Sequence, residues 1–243
     1  MLEVSETGES VKTEGLVYEP NENDLYAVEE AVYQKSAHGG QVTAITVGPA
    51  SARDVLYSAY ARGVDQAVHV VDEKFRGSNP IFSLAAIAGF AKSAVPAYDL
   101  ILTGVRADDD LMGQFGAQLS ESLAIPMVTS VSGIDIGAGA TTAKVQREIG
   151  NGYKQEIEVD LPCLVSIQFG IRPLQYTSIN QLIKAKMRRI QSTTFDGPLG
   201  ESTSDGFLTT LSAPPHGKEC EIIEGSPSEA IAKLVQTVAK KGR

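Results

Sequence analysis

The chain has 243 residues, enough for one large domain or two small ones with a real core. Apolar residues make up 42% and charged residues 21%, ordinary values for a globular protein in water. The acidic excess gives a net charge of −9, which excludes broad binding to nucleic acid or to an anionic membrane, because phosphate surfaces demand a basic face. Of the two cysteines, Cys163 sits in an apolar run and reads as a small buried hydrophobe, and neither belongs to a CxxC pair. No apolar run approaches the roughly 20 residues that span a bilayer, and "MLEVSETGES" has the character of neither a signal nor a transit peptide, so a cytoplasmic location without membrane insertion is expected.

In chain order, "DLYAVEEAVYQKSA" places Leu25, Val28, Ala31 and Val32 on one face and predicts a helix capped by Asn23 or Asp24. "QVTAITV" is a short β-branched run ended by "GP", and "ASARDVLYSAYARG" a second helix ending at Gly63. "QAVHVV" reads as a strand, "PIFSLAAIAGFAKSAV" as a helix with Pro80 near its first turn, and Asp99 to Gly104 as another strand. A fourth helix begins near Met112 or Gly113, and "PMVTSVSGIDI" starts a strand. Nearly unbroken apolar strands alternating with helices predict a doubly wound, mostly parallel α/β sheet. Beyond Ile125 the period changes to two around "GNGY", an antiparallel hairpin leading into one more strand. "SINQLIKAKMRRI" is a basic helical stretch and "QSTTFDGPLGESTSDG" an exposed arm. "SPSEAIAKLVQTVAKKG" is a terminal amphipathic helix with a capping box from Ser226 to Glu229. The expected division is an α/β domain over residues 1–190 and an arm plus helix over 191–243, with a partner subunit as what the arm reaches for.

The chain lacks GxGxxG, Walker A, GxSxG and HExxH motifs, and its histidines lie far apart in sequence. His69, between valines, reads as a packed strand residue. No catalytic residue and no metal site is assigned. What remains is the stretch "GVRADDDLMGQFG" after the strand ending at Gly104. Ligands of open α/β sheets bind beyond the carboxyl ends of the strands, where free N–H groups of the next helix point. Gly104, Ala107, Gly113 and Gly116 are small enough for close approach, Asp109 or Asp110 suits a ribose or adenine, and Gln114 a phosphate or base. The plainer alternative is that the aspartates cap the following helix and favour its dipole, worth about 0.3–1 kcal/mol each.

Together the motifs resemble the beta subunit of electron transfer flavoproteins. "NENDLYAVEEA" resembles the family's Asn-Pro helix entry, "AITVGPASARDVLYSAYARGVDQAVHV" its strand, Gly-Pro turn and Ala-rich helix, and "GVRADDDLMGQFGAQLSESL" its pocket motif. "VQREIGNGYKQEIEVDLPCLVSI" resembles its hairpin, "LQYTSINQLIKAKMRRI" its docking segment and "EIIEGSPSEAIAKLVQTV" its tail. The resemblance runs from about Val17 to the C-terminus and implies a Rossmann-like, adenine-nucleotide-binding fold. It also implies a heterodimer whose alpha subunit carries the redox-active FAD, ferrying electrons from dehydrogenases such as acyl-CoA dehydrogenases to a quinone reductase. The chain would be a carrier subunit rather than an enzyme alone.

By the same resemblance a structural AMP would be held by Asn21, Val47, Gly48, Gly104, Ala107, Asp110, Gly113, Gln114 and Phe115. Ile179, with Lys184 and Lys186 beside it, would dock the dehydrogenase. Two alternatives stand beside this: a second FAD that oxidises NADH in an electron-bifurcating subunit, and a non-redox nucleotide-binding regulatory protein. The chain departs from the family pattern at Arg106, Leu111, Phe115 and Gln175, the last standing where an Arg precedes Tyr176. The family's first strand has no counterpart before Asn21, where the sequence resembles the hairpin that follows that strand, so the natural start is expected upstream of Met1. Neighbours of such an absent strand would carry unpaired backbone.

Overall fold

A computed structural model of the chain describes residues 3–5, 8, 11–12, 19–71, 80–93, 98–109, 111–195, 210–212, 220 and 222–241. The chain forms two compact units, residues 13–209 and residues 1–12 with 210–243.

The larger unit is the expected α/β body. Its elements are α1 (Glu22–His38), β1 (Thr43–Gly48), a 3-10 turn (Ala50–Arg53), α2 (Asp54–Arg62), β2 (Gln66–Val71) and α3 (Pro80–Ser93). There follow β3 (Leu100–Gly104), α4 (Phe115–Leu123), β4 (Met127–Asp135), β5 (Thr142–Gly150), β6 (Tyr153–Asp160), β7 (Cys163–Ile167), α5 (Ile179–Lys186) and β8 (Gln191–Thr193). The strands form two sheets. One is parallel, in the order β1-β2-β8; the other runs β3-β7-β4-β5-β6, with β3, β7 and β4 parallel and the β5–β6 hairpin antiparallel. The parallel-rich α/β class and the hairpin at "GNGY" agree with the sequence reading.

Strand periodicity distributes the larger sheet between two helical layers. Cys163, Val165 and Ile167, with Leu100 and Leu102, pack with Tyr26 and Ala27 of α1. Leu164 and Ile101 point the other way, onto Leu84, Ile87 and Ala88 of α3 and Leu119 of α4. Alternate side chains of one strand therefore serve opposite layers, as the pleat requires. A third cluster joins α2, Val64 and Ala67 to Leu182, Ala185 and Ile190, with Val28 and Val32 of α1 packed against it. Helix α1 thus bridges the cores of both sheets. The outermost strand, β6, exposes Lys154, Glu156, Glu158 and Asp160, one charge at every second residue.

Several local expectations change. Helix α1 starts at Glu22, so its cap position is Asn21 rather than Asn23 or Asp24. The predicted second helix begins as a 3-10 turn before α2 proper. Helix α4 starts at Phe115: Gly113 takes φ +62°, a left-handed conformation that keeps Met112 to Gln114 out of the helix. Residues 191–193, expected in an exposed arm, pair with β2 instead. The rest of that arm from residue 196 to 209 lies outside the described residues.

The smaller unit carries an antiparallel bridge between Val4 and Val11, reinforced by a 2.9 Å Lys12–Glu3 ion pair, which suits the hairpin read there. Its helix α6 (Pro227–Lys241) begins with Glu229 accepting from Ser226 N and Oγ at 2.8 and 2.6 Å, one half of the expected capping box. These bonds hold the Glu229 carboxyl below its ordinary value. Ile231, Leu234, Val235 and Val238 line one face of α6 and are exposed. No described helix is long and apolar enough to cross a membrane.

Candidate functional site

β1 and β3 are each paired on one side only among the described residues, β1 with β2 and β3 with β7. Between them opens a cleft of about 1270 Å³, lined by both strands and by α1, α3 and α4. It runs the length of both strands and reaches their carboxyl ends, the usual ligand position in open α/β sheets. Asn21, Val47, Gly104, Ala107, Gly113, Gln114 and Phe115 all line it. Gly48 is buried at the end of β1, where its carbonyl lies 3.2 Å from His69 Nε2; His69 is indeed packed inside its strand. Asp110 lies outside the described residues.

The rim at β3 is built by polar clasps from α1. Asn21 Nδ2 donates to Asp24 Oδ2 at 2.7 Å and to the Arg106 carbonyl at 2.9 Å, while Asn21 Oδ1 accepts from Asp108 N at 3.1 Å. Asn23 Nδ2 reaches the same Arg106 carbonyl at 3.3 Å, and Asp24 Oδ1 accepts from Gly104 N at 2.6 Å. Asp108 Oδ2 accepts from Glu22 N at 3.3 Å, so one aspartate of the triplet caps α1, the preceding helix, rather than the one that follows it. With its polar atoms engaged, Asn21 shapes the rim. Gly104 serves the same packing, since a Cβ there would lie 2.7 Å from Asn23 Cβ. The run "NEND" carried this signal in its density of short polar side chains, which favour helix starts and turns.

The start of α4 suits an anionic group. Gln114 at its cap position makes no side-chain capping bond, and its first turn holds no acidic residue. The helix faces the cleft through Phe115, Gly116, Gln118 and Leu119. Its leading N–H groups and dipole fit a phosphate, and the apolar walls of β1 and β3 fit a flat base.

A second surface lies on α5. Ser178 caps it with a complete capping box: Gln181 N donates to Ser178 Oγ at 3.3 Å, and Gln181 Oε1 accepts from Ser178 N at 2.8 Å. Leu182 and Ala185 face inward onto the α2 cluster. Ile179, Ile183 and Met187 are 72%, 54% and 82% exposed, and their spacing of four stacks them in one outward row. Lys184 and Lys186 are exposed beside it, as expected. Ile183 and Met187 extend the expected Ile179 contact and were legible as an i, i+4, i+8 series. Arg188, part of the same basic run, is spent on structure: it donates to the Val64 carbonyl at 2.8 Å and lies over the Tyr60 ring at 4.0 Å. Cys163 is inert by comparison, its thiol pushed up to about 11 by burial.

The electron transfer flavoprotein domain model matches residues 10–193. The electron transfer flavoprotein subunit beta of Bacillus subtilis is 31% identical over 99% of this chain and 93% of its own length. The protein of the same name from Methylophilus methylotrophus is 28% identical, over 98% and 92%. The acryloyl-CoA reductase electron transfer subunit gamma of Anaerotignum propionicum is 29% identical, over 91% and 86%. A family match across most of the chain, relatives aligned nearly end to end and a parallel α/β body with an open cleft at its strand ends agree: the chain belongs to the electron transfer flavoprotein family, on the side of its beta subunits.

Proposed function

We propose that the chain is the beta subunit of a heterodimeric electron carrier. Its alpha subunit holds the redox-active FAD, and the pair passes electrons from an acyl-CoA or similar dehydrogenase towards a quinone reductase. The beta subunit holds a structural AMP in the cleft between β1 and β3. Asn21, Gly104 and Ala107 form one rim, Val47 and Gly48 the other, and Gly113, Gln114 and Phe115 present the start of α4 to the phosphate; Asp110 completes the set. The observation that carries the AMP reading is the uncapped start of α4 at a cleft walled by apolar strand edges. The exposed row on α6, Ile231, Leu234, Val235 and Val238, is the surface offered to the alpha subunit. The row on α5 is offered to the dehydrogenase, an aliphatic centre with a basic rim.

Nucleotide content tests the cofactor reading. The heterodimer, purified and denatured, should release FAD and AMP in equal amounts. FAD alone, at twice that amount and without AMP, would replace the structural nucleotide by a second flavin and move the function to NADH-linked bifurcation. FAD in single amount without AMP would leave the cleft without its assigned ligand.

A further inference from the structure

Two adjacent carboxylates on α1 grip the segment that leads into α5. Glu30 is wholly buried, with 0% exposure. It accepts from Gln34 Nε2 at 2.6 Å and pairs with Arg172 Nε. The Arg172 guanidinium also lies over the ring of Tyr33 on the same helix. Glu29, also buried, accepts from the backbone N–H of Gln175 at 3.1 Å, and its Oε1 lies 3.3 Å from Arg62 Nε. The grip therefore holds residues 172 and 175, the second lying three residues before Ser178, the cap of α5.

We infer that this buried latch positions the docking helix, with Glu29, Glu30 and Arg172 acting as positioning residues for partner binding. The inference rests on the docking reading of α5. Burying carboxylates is costly unless they are paired and hydrogen-bonded, and well-packed apolar residues often hold a contact as firmly. What an ion pair adds is one defined geometry: it is satisfied in a single register of the 171–177 segment and left unpaired in others. Leu182 and Ala185 hold the body of α5 by apolar contact, which tolerates rotation and sliding. The latch fixes the direction from which the chain enters the helix, and with it where Ile179 points.

The test uses the heterodimer, with an acyl-CoA dehydrogenase reduced by its acyl-CoA as electron donor. Arg172→Gln should speed amide exchange over residues 175–182 and raise the dehydrogenase KM about tenfold, with kcat changed less than about twofold. Arg172→Gln added to Ile179→Ala should raise KM no further, since the aligned residue is already gone. Should Arg172→Gln fail to assemble, Glu30→Gln, which keeps the size of the side chain but removes its charge and one of its two acceptor oxygens, carries the same readouts. Unchanged exchange and KM in an assembled variant overturn the latch. If Ile179→Ala alone leaves KM unchanged, the docking reading falls instead, and exchange alone judges the latch: faster exchange in Arg172→Gln upholds it, unchanged exchange overturns it.

Discussion

A Cβ placed on Gly104 would lie 2.7 Å from Asn23 Cβ and 2.9 Å from the backbone of Asn23 and Asp24. Backbone cannot swing aside as a side-chain tip does, so Gly104→Ala must lift the start of α1 off β3. It should cost about 1–3 kcal/mol and lower the nucleotide retained by the heterodimer, measured by denaturant unfolding and by released nucleotide. Gly116→Ala is the contrast: the nearest atom is Met127 Cε at 2.8 Å, the far end of a flexible side chain, so a smaller loss is expected. Asp65 makes a different contribution. Burial pushes its carboxyl up, but the Val42 N–H and the Lys35 ammonium outweigh that and leave it below its ordinary value of 3.8. A depressed folded value means the stabilisation is complete above 3.8 and fades as pH falls through the lower folded value. Acid unfolding of Asp65→Asn should therefore show a shallower loss of stability below that pH than the parent.

At the scale of elements, α1 shows where sequence patterning stops informing. The apolar stripe Leu25, Val28, Ala31, Val32 marked a helix correctly, yet all four are only half-buried. Leu25, Val28 and Ala31 line the cleft, while the buried positions include Asn23, Glu29, Glu30 and Gln34. Buried carboxylates are stable there because Arg172 arrives from 142 residues away, a pairing that no local period announces. Helix α5 was more legible, since Ser178 and Gln181 form a capping box at the sequence spacing that signals one. For its basic rim, reversing the charge of Lys184 and Lys186 should slow coupling to the dehydrogenase. The remaining rate should depend less on salt, because screening beyond about 8 Å acts on the charges removed. Stopped-flow rates across ionic strength measure both effects, and an unchanged salt slope would take these lysines out of the docking rim.

Across the whole molecule, alternation of apolar strands with helices gave away the α/β class, the hairpin and the positions of most elements. β8 escaped because three residues of a Ser- and Thr-rich run become a strand only through pairing with β2. Seven of the nine residues expected at a nucleotide site line one cleft, because strand ends and helix starts converge there by topology, which motif order carries. Among the described residues, β1 and β3 each keep one side without a strand partner. Successive amides of a parallel strand point to opposite sides, so in the chain as given alternate N–H groups of Thr43–Gly48 and Leu100–Gly104 face the cleft. Those amides should exchange faster than the interior ones of β7, which is paired on both sides, and mass-resolved hydrogen exchange would show the alternation.

The charges along β6 bear on how the chain behaves in a crowded solution. A bare sheet edge is a template on which another copy can add a strand. Lys154, Glu156, Glu158 and Asp160 make that edge mostly negative, so a second copy laid against it in matching register brings carboxylate onto carboxylate. That edge thereby resists sheet growth, and fibre-like self-stacking along it is discouraged.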